Sequence, residues 1–475
     1  MSLVTSSSHE EDLFDSVKLP CSRMLPNRLV KVAMYEHLAP FGGGPPNRRH
    51  FSLYSTWAAS EWGMVITGNV QVSSSHLSLG RDIVVPDKID SATMEPFRKL
   101  ACIVHGADGR TEPNKTLAIV QLSHAGRQSP NIIGGRSLFA QPKAASAVRV
   151  GSARDAGFLG EAFHRLLFQT PQEMTPDDID ALVDRFTQGA RLAFESGFDG
   201  IQLHAAHGYL LAGFLSEQAN VRTDDYSATA ANSLHLLHRL VGSIRAIVPD
   251  TFVIGMKINS SDYIDITAGQ DEVKKFQQEQ RALGHLKTIW SWGLVDFIEV
   301  SGGTYEKPDF MSGNARQAFF SIFSKKAVEL FQNPAECPGI SAPLILLTGG
   351  IRTAAQCHEI VQNKRADLLG FARLATLCPQ LPTVLRNTPA DQNAPVVMEP
   401  DLSSSAAISL LPQIRLIGAG IGTAWYCVAL RRLASDYQAG RKDVFLRGAP
   451  RRKGDPGFTL GALGGLFMFW VWLCL

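Results

Sequence analysis

The sequence predicts a closed (β/α)8 barrel, and three observations predict it. Eight short apolar runs follow one another along the chain, segments of helix length separate most of them, and no Gly-rich loop directly follows the first run. An open doubly wound sheet is the competing arrangement, but that fold sets a phosphate-binding glycine loop after its first strand. At 475 residues the chain is long enough for one barrel with extensions. Its 45% hydrophobic share, 19% charged share and 41 glycines are those of an ordinary globular protein. A net charge of +2 gives no reason to expect a nucleic-acid partner.

In chain order the runs are LVKVAM (29–34), MVITG (64–68), LAIVQLS (117–123), GIQLH (200–204), FVIGMKI (252–258), DFIEVSG (296–302), LILLTGG (344–350) and LLGFAR (368–373). Most are unbroken rather than alternating, as in parallel strands buried on both faces. The segment before the fourth run shows the helical counterpart. Thr175 caps it, Pro176 suits the first helical position, and Ile179, Leu182, Val183, Phe186, Ala190 and Phe194 share one face. The long stretch 129–173 between the third and fourth runs is either a mobile lid over the barrel mouth or an inert surface loop.

Residues 1–20 are expected to be a frayed arm, 21–395 the barrel, 396–455 a helical extension and 456–475 a membrane-attaching tail. The start of the chain has no basic stretch leading into an apolar one, unlike a secretory signal. The tail expectation rests on 458–475, 18 residues without a charge, at the short end of what crosses a hydrocarbon core of about 30 Å. Four cations in RGAPRRKGD upstream favour keeping the barrel on the cytoplasmic side. The seven cysteines form no C-x-x-C pair, which speaks against a zinc ribbon, an iron–sulfur cluster or a disulfide framework.

Catalytic groups of such a barrel sit on loops after the strands' C-terminal ends. His204, His207 and Tyr209 in GFDGIQLHAAHGYLLAGFLS (197–216) occupy that place after the fourth run. The His-x-x-His spacing differs from the i, i+4 of helical zinc ligands and has no evident third ligand, so no metal is expected. Two imidazoles converging with a phenol instead suit a carbonyl oxygen that gains negative charge. Spacing alone also allows two packed histidines near a strand end.

The segment GFDGIQLHAAHGYLLAGFLSEQANVRTDDYS resembles a signature of the old yellow enzyme family of FMN-dependent ene-reductases. LPNRLVKVAMYEHLA (25–39), AIVQLSHAGRQ (118–128), FVIGMKINSSDY (252–263), VDFIEVSGGTYE (295–306), LLTGGIRT (346–353) and LLGFARLATLCP (368–379) resemble its other blocks in the same order. The resemblance covers about residues 13–390, and the helix-like 418–434 resembles the end of some members.

The resemblance implies FMN at the top of the barrel, NADPH or NADH as electron donor, and an electron-poor alkene as substrate, either an α,β-unsaturated carbonyl or a nitroalkene. Gln121 would meet the flavin pyrimidine, and Lys257 would set a cation near N1 and C2=O. Gly349, Gly350, Ala372 and Arg373 would hold the phosphate. Ala33, Met34, Tyr35 and Gly68 would complete the cofactor contacts, with Tyr35 beside C4=O. His204 and His207 would hold the activating oxygen, and Tyr209 would give a proton to the α-carbon after hydride reaches the β-carbon. An isomerase using the same site, or an FMN-retaining scaffold, shares these residues.

The chain departs from the family pattern in three places. Tyr35 replaces a small Thr or Cys. YSATAANSLHLL (226–237) replaces a Gly-Gly and Asn-Arg pattern whose arginine braces the next helix, and LSEQAN replaces a proline-containing turn. RLIGAGIGTAW (415–425) superficially matches a G-x-G-x-x-G dinucleotide fingerprint, but Thr423 and the short remaining chain speak against it.

Overall fold

The computed structural model describes residues 12–106, 116–151, 157–260, 272–301, 314–399 and 415–440. All eight runs are strands: β1 Leu29–Lys31, β2 Met64–Gln71, β3 Leu117–Ser123, β4 Gly200–Ala205, β5 Val253–Asn259, β6 Phe297–Ser301, β7 Leu344–Thr348 and β8 Leu368–Phe371. Each pairs in parallel with the next. Leu369 of β8 lies opposite Leu29 of β1, and Val30 of β1 opposite Met64 of β2, so the sheet closes. Closure excludes the doubly wound arrangement.

The lower barrel is a dry plug. Val30, Val32, Met64, Ile66, Leu117, Ile119, Val253, Phe297, Leu346 and Leu368 fill it, and Leu19 and Leu25 join them from below. Phe297 reaches across because β5 has a glycine there: a Cβ on Gly255 would lie 2.1 Å from the Phe297 ring. Truncating a phenylalanine in such a core costs about 3–5 kcal/mol. Charged residues at the lower rim are paired. Asp296 joins Arg245 at 2.7 Å and receives the Cys21 amide at 2.8 Å, while Asp199 joins Arg23 at 3.0 Å and His105 at 2.8 Å.

Three expectations change here. The N-terminal arm is packed where it is described: Leu13 and Leu19 are buried, and Val17–Lys18 pairs antiparallel with Met24–Leu25. The barrel floor offers these leucines a surface to cover, which a frayed arm would lack; residues 1–11 lie outside the described residues. In the helix Pro176–Glu195, Thr175 caps and five of the six face positions are buried, but Phe194 is 41% exposed and Ala193 is buried instead. The stripe drifts by the last turn, and Phe194 packs edge-on to Phe252 at 5.7 Å.

The excursion 129–173 carries the helix Gly157–Leu167 and a parallel pair, Lys143–Ala144 with Gln172–Glu173. Arg136 ties it to the loop after β2 by donating to Ser75 O at 2.9 Å, and closes the start of the excursion on itself by donating to Ser129 Oγ at 2.7 Å. It is therefore bonded to the barrel. Segment 415–425 opens the helix Arg415–Gln438 and makes no glycine turn, which removes the dinucleotide fingerprint. That helix packs on Arg48–Ala58. Residues 456–475 lie outside the described residues; among the described residues no helix is long and apolar enough to cross a membrane. So do 261–263 and 302–306 of the family-like blocks.

Candidate active site

On β4, Gln202 and His204 are two residues apart and share the inward face. The chain then reverses. His207 has φ +59°, left-handed for a residue with a Cβ, and Gly208 has φ +74°. The reversal is held by the His207 amide donating to Asn259 Oδ1 at 3.1 Å, and it swings the second ring back toward the first.

A chain of four polar groups results. His204 Nδ1 lies 3.0 Å from Asn69 Oδ1, His204 Nε2 lies 3.2 Å from His207 Nδ1, and His207 Nε2 lies 2.8 Å from Ser301 Oγ. Burial first, and the Lys257 cation besides, push both imidazoles well below the usual histidine range. Both rings are therefore neutral, and only one proton lies between them. Each nitrogen is satisfied when Ser301 donates to His207, His207 to His204, and His204 to Asn69. Tyr209 caps the start of Leu210–Leu215, with its ring edge-on to His204 at 4.6 Å between centroids.

Beneath this chain lies a second one. Gln121 Nε2 donates to Gln202 Oε1 at 2.5 Å, and Gln202 Nε2 donates to Glu299 Oε2 at 2.8 Å. Glu299 Oε1 receives Lys257 Nζ and Thr348 Oγ1, both at 2.9 Å. Register explains the convergence, since Gln121 lies opposite Gln202 and Lys257 lies opposite both His204 and Glu299.

Ala33, Met34 and Tyr35 follow β1 and are half-buried. Gly68 of β2 sits against them; a Cβ there would lie 2.9 Å from Met34 O and from the Glu36 carboxyl carbon. The Tyr35 hydroxyl is 2.9 Å from His37 Nδ1, and burial pushes its pKa well up. The segment is clasped from behind, as Cys427 Sγ donates to Tyr35 O at 3.5 Å and Arg431 to His37 O at 3.2 Å. At the ends of β7 and β8, Gly349 and Gly350 have φ +108° and +74°. Arg352 and Arg373 there both face Glu399, at 3.1 and 3.8 Å.

The expected site residues thus form one ring around the barrel mouth. Ala372 lies beside Ala33 at the β8–β1 seam, where Val32 N donates to Phe371 O at 3.1 Å. Sequence reasoning missed Asn69, Gln202, Glu299, Ser301 and Arg352. Gln202 and Glu299 had a legible signal, each being a polar residue within an otherwise apolar run. The bracing arginine absent from 226–237 has a substitute: Arg239 joins Asp180 at 2.8 Å and the Tyr226 hydroxyl.

The sequence model of the NADH:flavin oxidoreductase / NADH oxidase family matches residues 12–392. The chain belongs to this family. It is 36% identical to the NADH-dependent flavin oxidoreductase iliE of Neonectria sp. (strain DH2), over 84% of this chain and 50% of that one. It is 35% identical to iccE of Talaromyces variabilis, described by the same activity, over 89% and 98%. The chain therefore spans half the length of the first relative and nearly all of the second. The old yellow enzyme homologue from Zymomonas mobilis has the same fold, with a TM-score of 0.60 at 20% identity over 82% of this chain and 95% of that one. Morphinone reductase superposes with a TM-score of 0.59 at 20% identity, over 80% and 91%. The chain is thus a member of an FMN-linked family of flavin oxidoreductases whose named relatives depend on NADH or NADPH, and it shares the fold of the old yellow enzyme homologue.

The mouth suits FMN chemically. It offers a buried amide and lysine at its floor, and glycine backbone with two guanidiniums where a dianionic phosphate would be held.

Proposed function

We propose that this chain reduces the C=C bond of electron-poor alkenes, α,β-unsaturated carbonyls or nitroalkenes, with NADH or NADPH as donor. The observation that carries the reading is a neutral histidine pair, His204 buried and His207 half-buried, with Tyr209 edge-on to His204 at 4.6 Å, at the same strand end that Lys257 faces. FMN, when bound, would supply hydride chemistry between the nicotinamide donor and the alkene.

The chain's own residues do the rest. Gln121 and Lys257 hold the pyrimidine edge and the N1 side; Ala33, Met34, Tyr35 and Gly68 frame the C4=O edge; Gly349, Gly350, Ala372, Arg373 and Arg352 hold the phosphate. The substrate's oxygen replaces the link between His204 and His207. To donate from both rings, His204 needs its proton on Nε2 and His207 on Nδ1, so the Asn69 amide turns to donate to His204 Nδ1 while Ser301 donates to His207 Nε2. Both rings then polarise the double bond. When hydride has reached the β-carbon, the Tyr209 O–H bond breaks and a C–H bond forms at the α-carbon. Solvent restores the phenol.

The test is anaerobic. Purified chain reconstituted with FMN is reduced with NADPH or NADH and mixed with a cyclic enone. Prompt reoxidation with formation of the saturated ketone supports the reading. A chain that binds and releases FMN but is never reoxidised by enones or nitroalkenes is a flavin-retaining scaffold. We also propose that the uncharged run 458–475 attaches the chain to a membrane, with Arg447, Arg451, Arg452 and Lys453 on the cytoplasmic side.

A further inference from the structure

Behind the mouth, between β1, β2 and the helix Arg48–Ala58, lies a cluster of ionisable groups with no part in the steps above. Lys31 Nζ and Glu36 Oε1 are 3.8 Å apart, with side chains 0% and 4% exposed. Lys31 also donates to Ile66 O at 2.9 Å and lies 4.1 Å above the Trp57 ring. Glu36 Oε1 accepts the Tyr54 hydroxyl at 2.5 Å, and the Tyr54 oxygen in turn accepts the Gly68 amide at 2.9 Å. His50 serves two ends: its Nδ1 accepts the Asn47 amide at 3.1 Å within a capping box, and its Nε2 faces Glu36 at 3.8 Å.

Stability alone does not account for this pair, because apolar replacements of buried ion pairs are often neutral or stabilising. Its orientation is informative. The lysine end bonds Ile66, deeper in the barrel, while the carboxylate end reaches Gly68, in the stretch of β2 where the register slips between Ile66 and Asn69. Gly68 belongs to the ring of residues assigned to the flavin, and the next residue, Asn69, holds His204. A buried dipole therefore points its negative end at the cofactor's edge. Charges in such a place are weakly screened.

We propose that Lys31 and Glu36 are positioning residues that set the electron affinity of the flavin, the carboxylate end disfavouring the negative charge that reduction adds. This rests on the FMN reading above. Tyr54 links the pair mechanically to the Gly68 amide, so the same unit fixes the β2 backbone that carries Asn69.

The groups that face the pair are Tyr54 and His50 from the helix, the Trp57 ring, and the backbone of Ile66 and Gly68. Burial keeps Tyr54 a neutral phenol and pushes His50 down to about 3, so neither carries charge near neutrality. Burial lowers Lys31 to about 8 and raises Glu36, which makes each dependent on the other for its charge. Unbalancing the pair thus acts most strongly below the Lys31 value of about 8, where wild type holds the lysine's charge: Glu36→Gln leaves Lys31 alone there, and Lys31→Met leaves Glu36 alone.

The experiment measures the midpoint potential of bound FMN at pH 6 and pH 7.5, with the thermal midpoint beside it. The expected result is a potential above wild type at pH 6 for Glu36→Gln, below wild type at pH 7.5 for Lys31→Met, and close to wild type for Glu36→Asp. Shifts of the same sign, or none with FMN bound, overturn the inference, since a merely structural pair would move only the thermal midpoint. Should the substituted chains not fold, redox-difference infrared spectra of wild-type holoenzyme with ¹³C-glutamate decide the matter. A buried glutamate carboxyl that responds to flavin reduction is expected, and its absence overturns the inference. A wild-type chain that takes up no FMN overturns the proposed function as well, whereas normal FMN binding with unmoved potentials overturns this inference alone.

Discussion

Glu299→Gln should destabilise the flavin-free chain far more than a one-atom change suggests. Glu299 is wholly buried and receives Lys257, Gln202 and Thr348. The amide keeps the shape but loses the charge and one of two acceptor oxygens. Lys257 is left as a buried cation with no counter-charge, and removing one partner of such a pair costs about 3–5 kcal/mol. At roughly 2–4 °C per kcal/mol for a large domain, the thermal midpoint should fall on the order of 10 °C. Lys257→Met in the same chain should recover most of that loss, because no buried charge then remains. FMN should also restore part of it in Glu299→Gln, since the ring's N1 side offers Lys257 a new partner. Circular-dichroism melts of the three flavin-free chains, wild type, Glu299→Gln and the double variant, repeated with FMN, test this. A double variant no more stable than Glu299→Gln would show that the loss is not electrostatic, and the account of the mouth's floor would fail with it.

Tyr209→Phe should slow reoxidation of the reduced enzyme by an enone about 10²–10⁴-fold, the usual worth of a positioned proton donor, while leaving reduction by the nicotinamide intact; stopped-flow traces losing both half-reactions equally would make the tyrosine structural. Arg373→Ala should weaken FMN retention by about 10–100-fold, as one charge-assisted bond is worth about 1.5–3 kcal/mol, read by flavin fluorescence titration. Acid should destabilise the fold from about pH 6.5 downward. His50 and His124, held down to about 3 by burial, and His285, held down to about 4, stay neutral when folded and take up protons only on unfolding, so stability present above 6.5 drains away as pH falls toward those values. Urea melts between pH 4 and 8 that show no such loss would contradict their burial. Full-length chain should resist carbonate extraction from membranes, and a chain ending at Asp455 should not, while keeping its flavin; a full-length chain found wholly in the supernatant removes the attachment.

How much of this was legible in the sequence depended on whether a local pattern or a distant contact made each feature. Strands buried on both faces are apolar at most positions, so all eight announced themselves, and the rule that chemistry sits after strand ends then led directly to His204, His207 and Tyr209. The same rule of burial hid the polar floor. Gln202 and Glu299 interrupt apolar runs, and nothing in either run says that the other residue will meet it, because their encounter requires the closed barrel's register. Lys31 and Glu36 are five residues apart, yet their relation to Gly68 passes through Tyr54 on a helix that no strand pattern reports. Phe194 failed for a different reason, since a helical stripe indicates a face and not where that face leaves the sheet.

Tyr35 shows where sequence reasoning stops. Resemblance implies a place beside the flavin's C4=O edge, and the backbone sets Tyr35 directly after Met34, whose carbonyl lies against Gly68. The direction of its side chain was set elsewhere, by His37 bonding its hydroxyl and by Cys427 and Arg431 of a helix almost four hundred residues away clasping the backbone on either side. A residue that a family keeps small is thus occupied here by a phenol whose polar end is already satisfied within the chain. On the FMN reading its contribution to the mouth would be the ring's volume, and the electrostatics of the neighbouring Glu36 would act at the edge where a small hydroxyl would have donated. The chain that places a phenol at position 35 carries the buried Lys31–Glu36 pair directly behind it.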